Sequence, residues 1–203
     1  MRTRVCVPVF LCLVALAQPA DSPKLAQKLQ ADAALAVQLI PIIQSVRNTD
    51  EAYDTAMAIA RWSRNYAVPA DLVTAVIWHE SLFRPDAVSR TNDYGLMQLH
   101  GKPGLTPNEN VEVGVYKLKC LLQSAKGVEA VALARYNGGP AGDHSGRCRN
   151  YAKAVLALAQ KVRTARKEGV YKELENAAPV PADLSWHRPP SFLTQKLREQ
   201  VVW

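Results

Sequence analysis

The chain has 203 residues, of which 48% are hydrophobic and 21% are charged. This length allows one domain with a substantial core and short appendages. Its formal net charge is +7, but no basic patch is interleaved with aromatic residues, so the composition gives no support to nucleic-acid binding. Alanine and leucine are abundant and β-branched runs are short, which favours a mainly helical protein.

The first twenty residues have the pattern of a secretory signal peptide. Arg2 and Arg4 precede an apolar run over 5–16, and an Ala-Leu-Ala sequence ends at Ala17. We expect cleavage after Ala17, with Ala20 as the alternative, and export to a bacterial periplasm or beyond. An uncleaved anchor would need a longer apolar run. Beyond this segment no run approaches the roughly 20 residues that span a bilayer, so no stable membrane span is expected after processing.

Residues 21–66 are predicted to form N-terminal helices that pack on the core. Pro41 interrupts the first helical pattern and should kink or end that helix. Asn48, with Glu51 three residues later, resembles a capping pair for a second helix over about 50–66.

The next helix carries a single carboxylate, Glu80, in its last turn. Pro69 suits the first turn of this helix, and Pro85 prevents its continuation. Glu80 follows Val76 by four residues and Ile77 by three, so it shares their inward face. Burial raises the pKa of a carboxylate, as a general acid near neutral pH requires. The alternative is a helix end at which Glu80 points into water.

Three more helices are predicted after a polar loop over 89–94 and an apolar run over 95–99. Thr106 and Glu109 form a capping pattern for a helix that ends near Ser124. A short helix over about 128–136 and a last core helix over about 148–167 follow. A proline-containing tail over 169–203 is predicted to be poorly ordered, with a terminal segment over 191–203 that could dock on a partner as a short helix.

Two ordered blocks of this sequence resemble the transglycosylase SLT domain, which has a lysozyme-like fold. The first block comprises Glu80-Ser81, Phe83, Pro85, Ala87, Ser89 and GLMQL at 95–99; the second is ALARYNGGP at 132–140. The resemblance implies a mainly α, lysozyme-like SLT domain over 67–168, with at most a minimal β element.

In the family that these blocks resemble, one glutamate cleaves the β-1,4 bond between N-acetylmuramic acid and N-acetylglucosamine in peptidoglycan. It first protonates the bond and then accepts the proton of the sugar's C6 hydroxyl, which gives a 1,6-anhydro end without water. The resemblance therefore implies a peptidoglycan lytic transglycosylase with Glu80 as acid and then base, and with no metal or cofactor. Glycan strands are the implied partner, and a secretion or conjugation apparatus is suggested by analogy only.

The resemblance also implies the substrate-binding residues. Ser89 is expected to hydrogen-bond near the acetamido group, Met97 and Gln98 to line the cleft, Tyr136 to lie over the glutamate or acetamido group, and Asn137 to shape the wall. Two alternatives stay open, because Met97 is also an ordinary core filler and Asn137 also suits a turn.

Other functions remain open at this stage. Glycoside cleavage usually uses two carboxylates, so Asp86 or Asp93 could activate water in a hydrolase of the goose-lysozyme kind. A wall-binding module that keeps the cleft without the chemistry is a further alternative. The chain departs from the family at His100, which is a candidate substrate contact or an ordinary loop residue.

Removal of a signal peptide would leave two cysteines, Cys120 and Cys148. An even pair in an oxidising compartment favours a disulfide between them, and two buried thiols are the alternative. The scattered histidines and cysteines lack the spacing of zinc ligands.

Overall fold

A computed structural model describes residues 22–47 and 50–169. Over these residues the chain forms six α-helices and one two-stranded antiparallel sheet. They are α1 (Ser22–Val46), α2 (Ala52–Tyr66), α3 (Ala70–Ser81), β1 (Asp93–Tyr94), β2 (Leu99–His100), α4 (Pro107–Ser124), α5 (Glu129–Gly138) and α6 (Gly146–Glu168). The predicted fold class, mainly α with a minimal β element, is confirmed. The predicted signal peptide and its cleavage sites, and the tail from residue 170 onward with any docking segment, lie outside the described residues.

Helix α1 continues through Pro41, so of the two predicted effects, a kink or an end of the helix, the end does not occur. Proline removes one backbone donor, but packing can hold a helix across that gap. Leu39, Ile42 and Ile43, which flank Pro41, are all buried in the core. The residue that caps α2 is Glu51, which makes no side-chain cap bond.

Helix α1 is also long and apolar enough to cross a bilayer by length and composition, although the sequence analysis found no such run beyond the leader. Within the stretch Pro23–Val46, a window of 18 residues has a mean hydropathy of 1.3. In the structure α1 packs against α2 and α6. Its Asp32 is 2% exposed and accepts a hydrogen bond from Arg64 at 2.7 Å. One side of α1 therefore belongs to the core.

Helix α3 lies at the centre of the helical assembly, between α2 and α6. Ten of its twelve residues are buried. At its first turn, Asp71 accepts hydrogen bonds from Arg163 at 3.3 Å and from Arg166 at 2.8 Å, both on α6. These bonds fix α3 against α6, and thereby the position of Glu80 at the other end of α3.

Helix α4 holds the segment that connects α3 to α4, in which β1 and β2 lie. The predicted capping box of Thr106 and Glu109 is present and starts this helix. One turn further, Asn110 accepts the Met97 backbone N–H at 2.8 Å and donates to the Tyr94 carbonyl oxygen at 2.9 Å. The side-chain amide of Asn110 thus ties the backbone of Tyr94 and Met97 to α4, through its nitrogen and its oxygen respectively.

The expected disulfide is not formed, and both thiols are free. Cys120 is exposed on α4, whereas Cys148 is buried in the first turn of α6. Cys148 instead packs against the end of α5, because a Cβ built on Gly138 would lie 2.4 Å from its Sγ.

Candidate active site

A cleft of about 600 Å³ opens beside the C-terminal end of α3. This volume lies in the range of ordinary small-molecule sites. The residues that line it come from α3, the β1–β2 loop region, α4, α5 and the start of α6; they are Glu80, Ser89, Arg90, Thr91, Asp93, Gln98, His100, Lys117, Arg135, Tyr136, Asn137, Gly139 and Arg147. Five of the six predicted site residues are among them, and Met97 is not.

The acid predicted from helical spacing, Glu80, is 7% exposed at the wall of this cleft. Burial raises the pKa of Glu80 from 4.5 to about 7, because the charged form loses solvation. A hydrogen bond from Tyr151 and the charge of Lys117 lower that pKa, and the charge of Asp93 raises it. A carboxyl group with a pKa near 7 can both give and take a proton near neutral pH.

The hydrogen-bond partner of Glu80 is Tyr151, which lies on the helix that the sequence predicts as the last core helix. The Tyr151 hydroxyl on α6 donates to Glu80 Oε1 at 2.6 Å. Burial and the nearby Glu80 carboxylate raise the pKa of Tyr151 well above its usual value, so this hydroxyl keeps its proton. The sequence does contain a signal for this contact, a tyrosine on an apolar helix face, because a buried phenol hydroxyl needs a polar partner.

Asp93 is the second carboxylate in the cleft, and its oxygens already have several partners. Asp93 Oδ2 accepts from the Ser89 hydroxyl at 2.7 Å and from the Thr91 hydroxyl at 2.5 Å. Its Oδ1 lies 3.0 Å from His100 Nδ1. Asp93 therefore organises this loop, and His100 lies where it can contact a ligand in the cleft.

Ser89 is placed in the cleft, but its hydroxyl is used within its own loop. It donates to Asp93 and also accepts the backbone N–H groups of Thr91 at 3.1 Å and of Asp93 at 3.0 Å. A hydrogen bond from Ser89 to a ligand would therefore replace its bond to Asp93.

Gln98 lines the cleft and carries a buried side-chain acceptor that has no partner among the described residues. Its Nε2 donates to the carbonyl oxygens of Ala87 at 3.1 Å and of Gly95 at 2.9 Å. Two carbonyl acceptors fix which end of the amide carries the nitrogen, since carbonyl oxygens cannot pair with Oε1. Gln98 Oε1 is buried without a hydrogen-bond partner within the described chain.

Met97 does not line the cleft, so its predicted contact with substrate was wrong. Its side chain is fully buried and lies against Gly114, where a Cβ would come within 2.3 Å of the sulfur. The core-filler interpretation is therefore the better one. Its backbone does contribute, because the Met97 carbonyl oxygen accepts the Tyr136 hydroxyl at 2.7 Å.

Tyr136 is a buried wall residue whose hydroxyl is directed at Met97. The Lys117 ammonium lies 4.2 Å from the centre of its ring. Asn137, the next residue, is exposed at the same wall. Asp86, by contrast, lines a separate shallow depression with a side chain that is 75% exposed, 3.9 Å from Arg84. Of the two candidate second carboxylates, only Asp93 shares the cleft with Glu80.

The described part of the chain contains no group of three or more histidine, cysteine, aspartate or glutamate side chains that could hold a metal ion. An acid with a pKa near neutrality beside a polar, open cleft is an arrangement that glycan-cleaving sites of the lysozyme kind also use.

A family comparison gives the narrower assignment. The family model for the transglycosylase SLT domain matches residues 57–103. This match confirms the resemblance deduced from the motifs, and it supports a function of the lytic transglycosylase type, acting on peptidoglycan, at the level of the family. The match begins within α2 and ends just past β2. It includes Glu80, Ser89 and Gln98, whereas Tyr136 and Tyr151 lie beyond it.

Proposed function

We propose that this protein is a peptidoglycan lytic transglycosylase that cleaves the β-1,4 bond between N-acetylmuramic acid and N-acetylglucosamine and leaves 1,6-anhydro ends. The observation that carries the proposal is the state of Glu80. Its carboxyl group is buried at a polar cleft, with a pKa of about 7 that lets it act as an acid and then as a base.

In the first step, the Glu80 carboxylic acid gives its proton to the glycosidic oxygen. The bond between that oxygen and C1 of N-acetylmuramic acid breaks, and the electron pair leaves with the N-acetylglucosamine hydroxyl. The acetamido oxygen of the same muramic acid stabilises the positive charge at C1. Tyr151 supports this step, since its hydrogen bond stabilises the carboxylate that the step leaves behind.

In the second step, the Glu80 carboxylate accepts the proton of the C6 hydroxyl. The C6 oxygen then bonds to C1 and displaces the acetamido oxygen, which closes the anhydro ring. Glu80 is a neutral acid again, and no water has been consumed.

Gln98 supplies a reason for the choice of an N-acetylated sugar. Its nitrogen is held by two backbone carbonyl groups, and its Oε1 is buried with no hydrogen-bond partner in the described chain. A buried acceptor without a partner is unfavourable, and a ligand N–H that pairs with it removes that penalty. The N–H of an acetamido group is such a donor. A sugar that carries a hydroxyl group in place of the acetamido group would present its donor closer to the ring, and therefore farther from Oε1.

The hydrolase alternative is favoured by one observation, the presence of Asp93 in the cleft. A water-activating base needs a free carboxylate oxygen directed at the water. Both oxygens of Asp93 are already paired, with Ser89 and Thr91 on one side and His100 on the other. The geometry therefore supports the transglycosylase over the hydrolase.

The proposed setting is the cell wall of a bacterium, reached by export. The N-terminal sequence pattern is compatible with a signal peptide, and the family acts on the wall. Glycan strands of peptidoglycan are the proposed partner. Arg90, Lys117 and Arg147 add positive charge to the cleft, which suits an anionic polymer.

The decisive experiment digests purified peptidoglycan with the wild type and with Glu80→Gln, followed by mass spectrometry of the released muropeptides. Glutamine keeps the shape of the side chain but cannot donate the proton. We expect turnover to fall by roughly 10²- to 10⁴-fold, the usual contribution of a general acid, while the fold is retained. The wild type should release 1,6-anhydro ends.

Glu112→Gln is the matched control. Glu112 is half-buried on α4 and accepts a tyrosine hydroxyl, that of Tyr66 at 3.4 Å, but it does not line the cleft. This variant should keep full activity. Substantial turnover by Glu80→Gln would refute the assignment of the acid, reducing ends would establish the hydrolase, and an inactive wild type that still binds peptidoglycan would establish the binding module.

A further inference from the structure

Lys117 occupies an unusual place for a lysine. It lies on the same face of α4 as Asn110 and Gly114, because the three residues follow one another at helical spacing. The other two hold the 95–99 segment in place. Lys117 is half-buried, lines the cleft and donates to the Tyr136 carbonyl oxygen at 3.4 Å.

Tyr136 holds this ammonium group in place by two contacts. One is the hydrogen bond to its carbonyl oxygen, and the other is the ring face, whose centre lies 4.2 Å from Nζ. A cation over an aromatic face is attracted by the ring's charge distribution, more strongly where water is excluded. Tyr136 is itself fixed by its hydroxyl bond to Met97, so the charge of Lys117 has a defined position.

The charges around Lys117 explain why it is held there. Burial lowers the pKa of Lys117, and the carboxylates of Glu80 and Asp93 oppose that effect. In return, the ammonium group lowers the pKa of Glu80. The attraction is mutual, so each group favours the charged form of the other.

Other groups also face Glu80 and contribute to its environment. Tyr151 on α6 donates to it, Tyr136 on α5 lies across the same space, and Asp93 on β1 opposes its ionisation. The remaining titratable side chains that line the cleft are Arg90, His100, Arg135 and Arg147. Arg135 is paired with Asp143 at 2.9 Å, and His100 with Asp93. Among the residues that line the cleft, Lys117 is the lysine, and its ammonium group contacts Tyr136.

We propose that Lys117 is a positioning residue for the acid–base cycle of Glu80, and that its ammonium group, held by Tyr136, balances the carboxylate that exists between the two proton transfers. The inference rests on the proposed function, because it concerns the two proton transfers that Glu80 makes within one turnover.

The physical reason lies in the two halves of that cycle. A buried carboxyl group gives its proton reluctantly, because the anion that remains has lost its solvation. A fixed positive charge nearby replaces part of that solvation without having to move during the reaction. Tyr151 supplies one hydrogen bond to the anion, and Lys117 supplies the charge.

The test compares Lys117→Met, which keeps the length of the side chain but removes its charge, with the wild type over a range of pH. Loss of the positive charge raises the pKa of Glu80. Since Glu80 must begin as an acid, the basic limb of the kcat/KM profile should move to higher pH, by about one unit. At the same time kcat should fall, because the carboxylate is less stable.

Two further variants separate charge from packing. Lys117→Arg keeps the charge and should restore the wild-type position of the basic limb. Lys119→Met removes an equal charge from α4, but Lys119 lies 5.8 Å from the ring of Tyr66 and outside the cleft, so the limb should not move. The proposal is overturned if Lys117→Met loses activity while the basic limb of its pH profile stays in place. It is also overturned if the basic limb of Lys117→Arg is displaced from its wild-type position.

A second measurement does not depend on activity. The ¹³C signal of the Glu80 carboxyl group, identified by its loss in Glu80→Gln, is titrated in the full chain with and without Lys117→Met. A higher titration midpoint in the variant supports the coupling, and an equal midpoint overturns it. If the midpoint moves but the wild type releases no anhydro ends, the coupling stands and the proposed function fails.

Discussion

At the scale of single residues, Glu80 has opposing effects on function and on stability. Its pKa rises from 4.5 to about 7 because the folded protein removes water from the carboxyl group. The same removal makes the charged form unfavourable in the folded state. Glu80, the proposed catalytic acid, is therefore expected to destabilise the fold at neutral pH.

Replacement of Glu80 by glutamine should relieve this penalty in a pH-dependent way. Because the folded pKa is the higher one, the contribution of Glu80 to stability is fully present below pH 4.5 and is lost as the pH rises through about 7. Once the pH lies above the folded pKa, a shift of this size lowers the free energy of unfolding by roughly 3 kcal/mol. The free energy of unfolding, measured with urea for Glu80→Gln and the wild type, should shift in favour of the variant between these pH values and level off above them.

Glutamine can still accept the Tyr151 hydroxyl through its carbonyl oxygen, so this comparison isolates the charge. A difference in unfolding free energy that stays constant from pH 4 to pH 8 would contradict the burial argument.

The sequence predicted Glu80 because the reason for its burial is local. Val76 and Ile77 precede it on the same helix face, and helical geometry alone puts the three together. Tyr151 could not be placed in the same way, since it is 71 residues away and meets Glu80 only when α6 packs on α3. Ser89 was placed in the right cleft, but its bond to Asp93 depends on the folded conformation of the loop.

At the scale of the secondary-structure elements, α4 supports the segment over 94–97 that precedes Gln98. Gly114 allows the loop to come close, since Met97 occupies the space where a Cβ would be. Asn110 adds two hydrogen bonds to the same segment. One helix face thus positions Met97, the residue directly before Gln98.

Substitution of Gly114 by alanine tests this contact. Alanine favours a helix by about 1 kcal/mol over glycine, but its Cβ would lie 2.3 Å from the Met97 sulfur. Overpacking of this kind usually costs about 1–3 kcal/mol, so the net effect should be a lower melting temperature. Because the displaced residue is next to Gln98, kcat/KM on peptidoglycan should also fall.

Gly146→Ala is the control for this prediction. A Cβ at Gly146, in the first turn of α6, would meet its nearest neighbour, Arg149, at an ordinary 3.8 Å. Thermal unfolding should show an unchanged or higher melting temperature for it. If Gly114→Ala behaves in the same way and remains fully active, close packing on α4 is not what positions the loop.

The sequence predicted the start of α4 well and the end of α1 poorly, for related reasons. The capping box of Thr106 and Glu109 involves residues three apart, so its signal is complete within the sequence. The effect of Pro41 depends on what surrounds it. Leu39 and Ile42 are held in the core, and that packing outweighs the missing backbone hydrogen bond.

At the scale of the whole molecule, buried ion pairs connect helices that are distant in sequence. Asp32 on α1 pairs with Arg64 on α2, and Asp71 on α3 pairs with Arg163 and Arg166 on α6. In each pair the carboxylate is buried and the arginine is partly exposed. This asymmetry predicts that the two partners are not equally dispensable.

Arg64→Ala should destabilise the protein more than Asp32→Ala. The first change leaves a carboxylate that is 2% exposed without its partner, whereas the second leaves an arginine whose side chain is 33% exposed and can reach water. A buried charge that loses its partner typically costs about 3–5 kcal/mol. Chemical denaturation of the two variants and the double variant at pH 7 would measure the difference. Equal losses for the two single variants would contradict the argument.

The sequence by itself determined the helical class, the helix that carries the acid, the cap of α4 and two motif blocks that resemble the SLT family. All of these depend on residues that are near one another in the chain, where spacing fixes geometry. Only the tertiary structure decided that Tyr151 and Lys117 join Glu80, that Met97 is buried and that Cys120 and Cys148 stay apart. Those outcomes depend on how helices from distant parts of the chain pack together, because packing sets the distances and the loss of water that govern hydrogen bonds and pKa values.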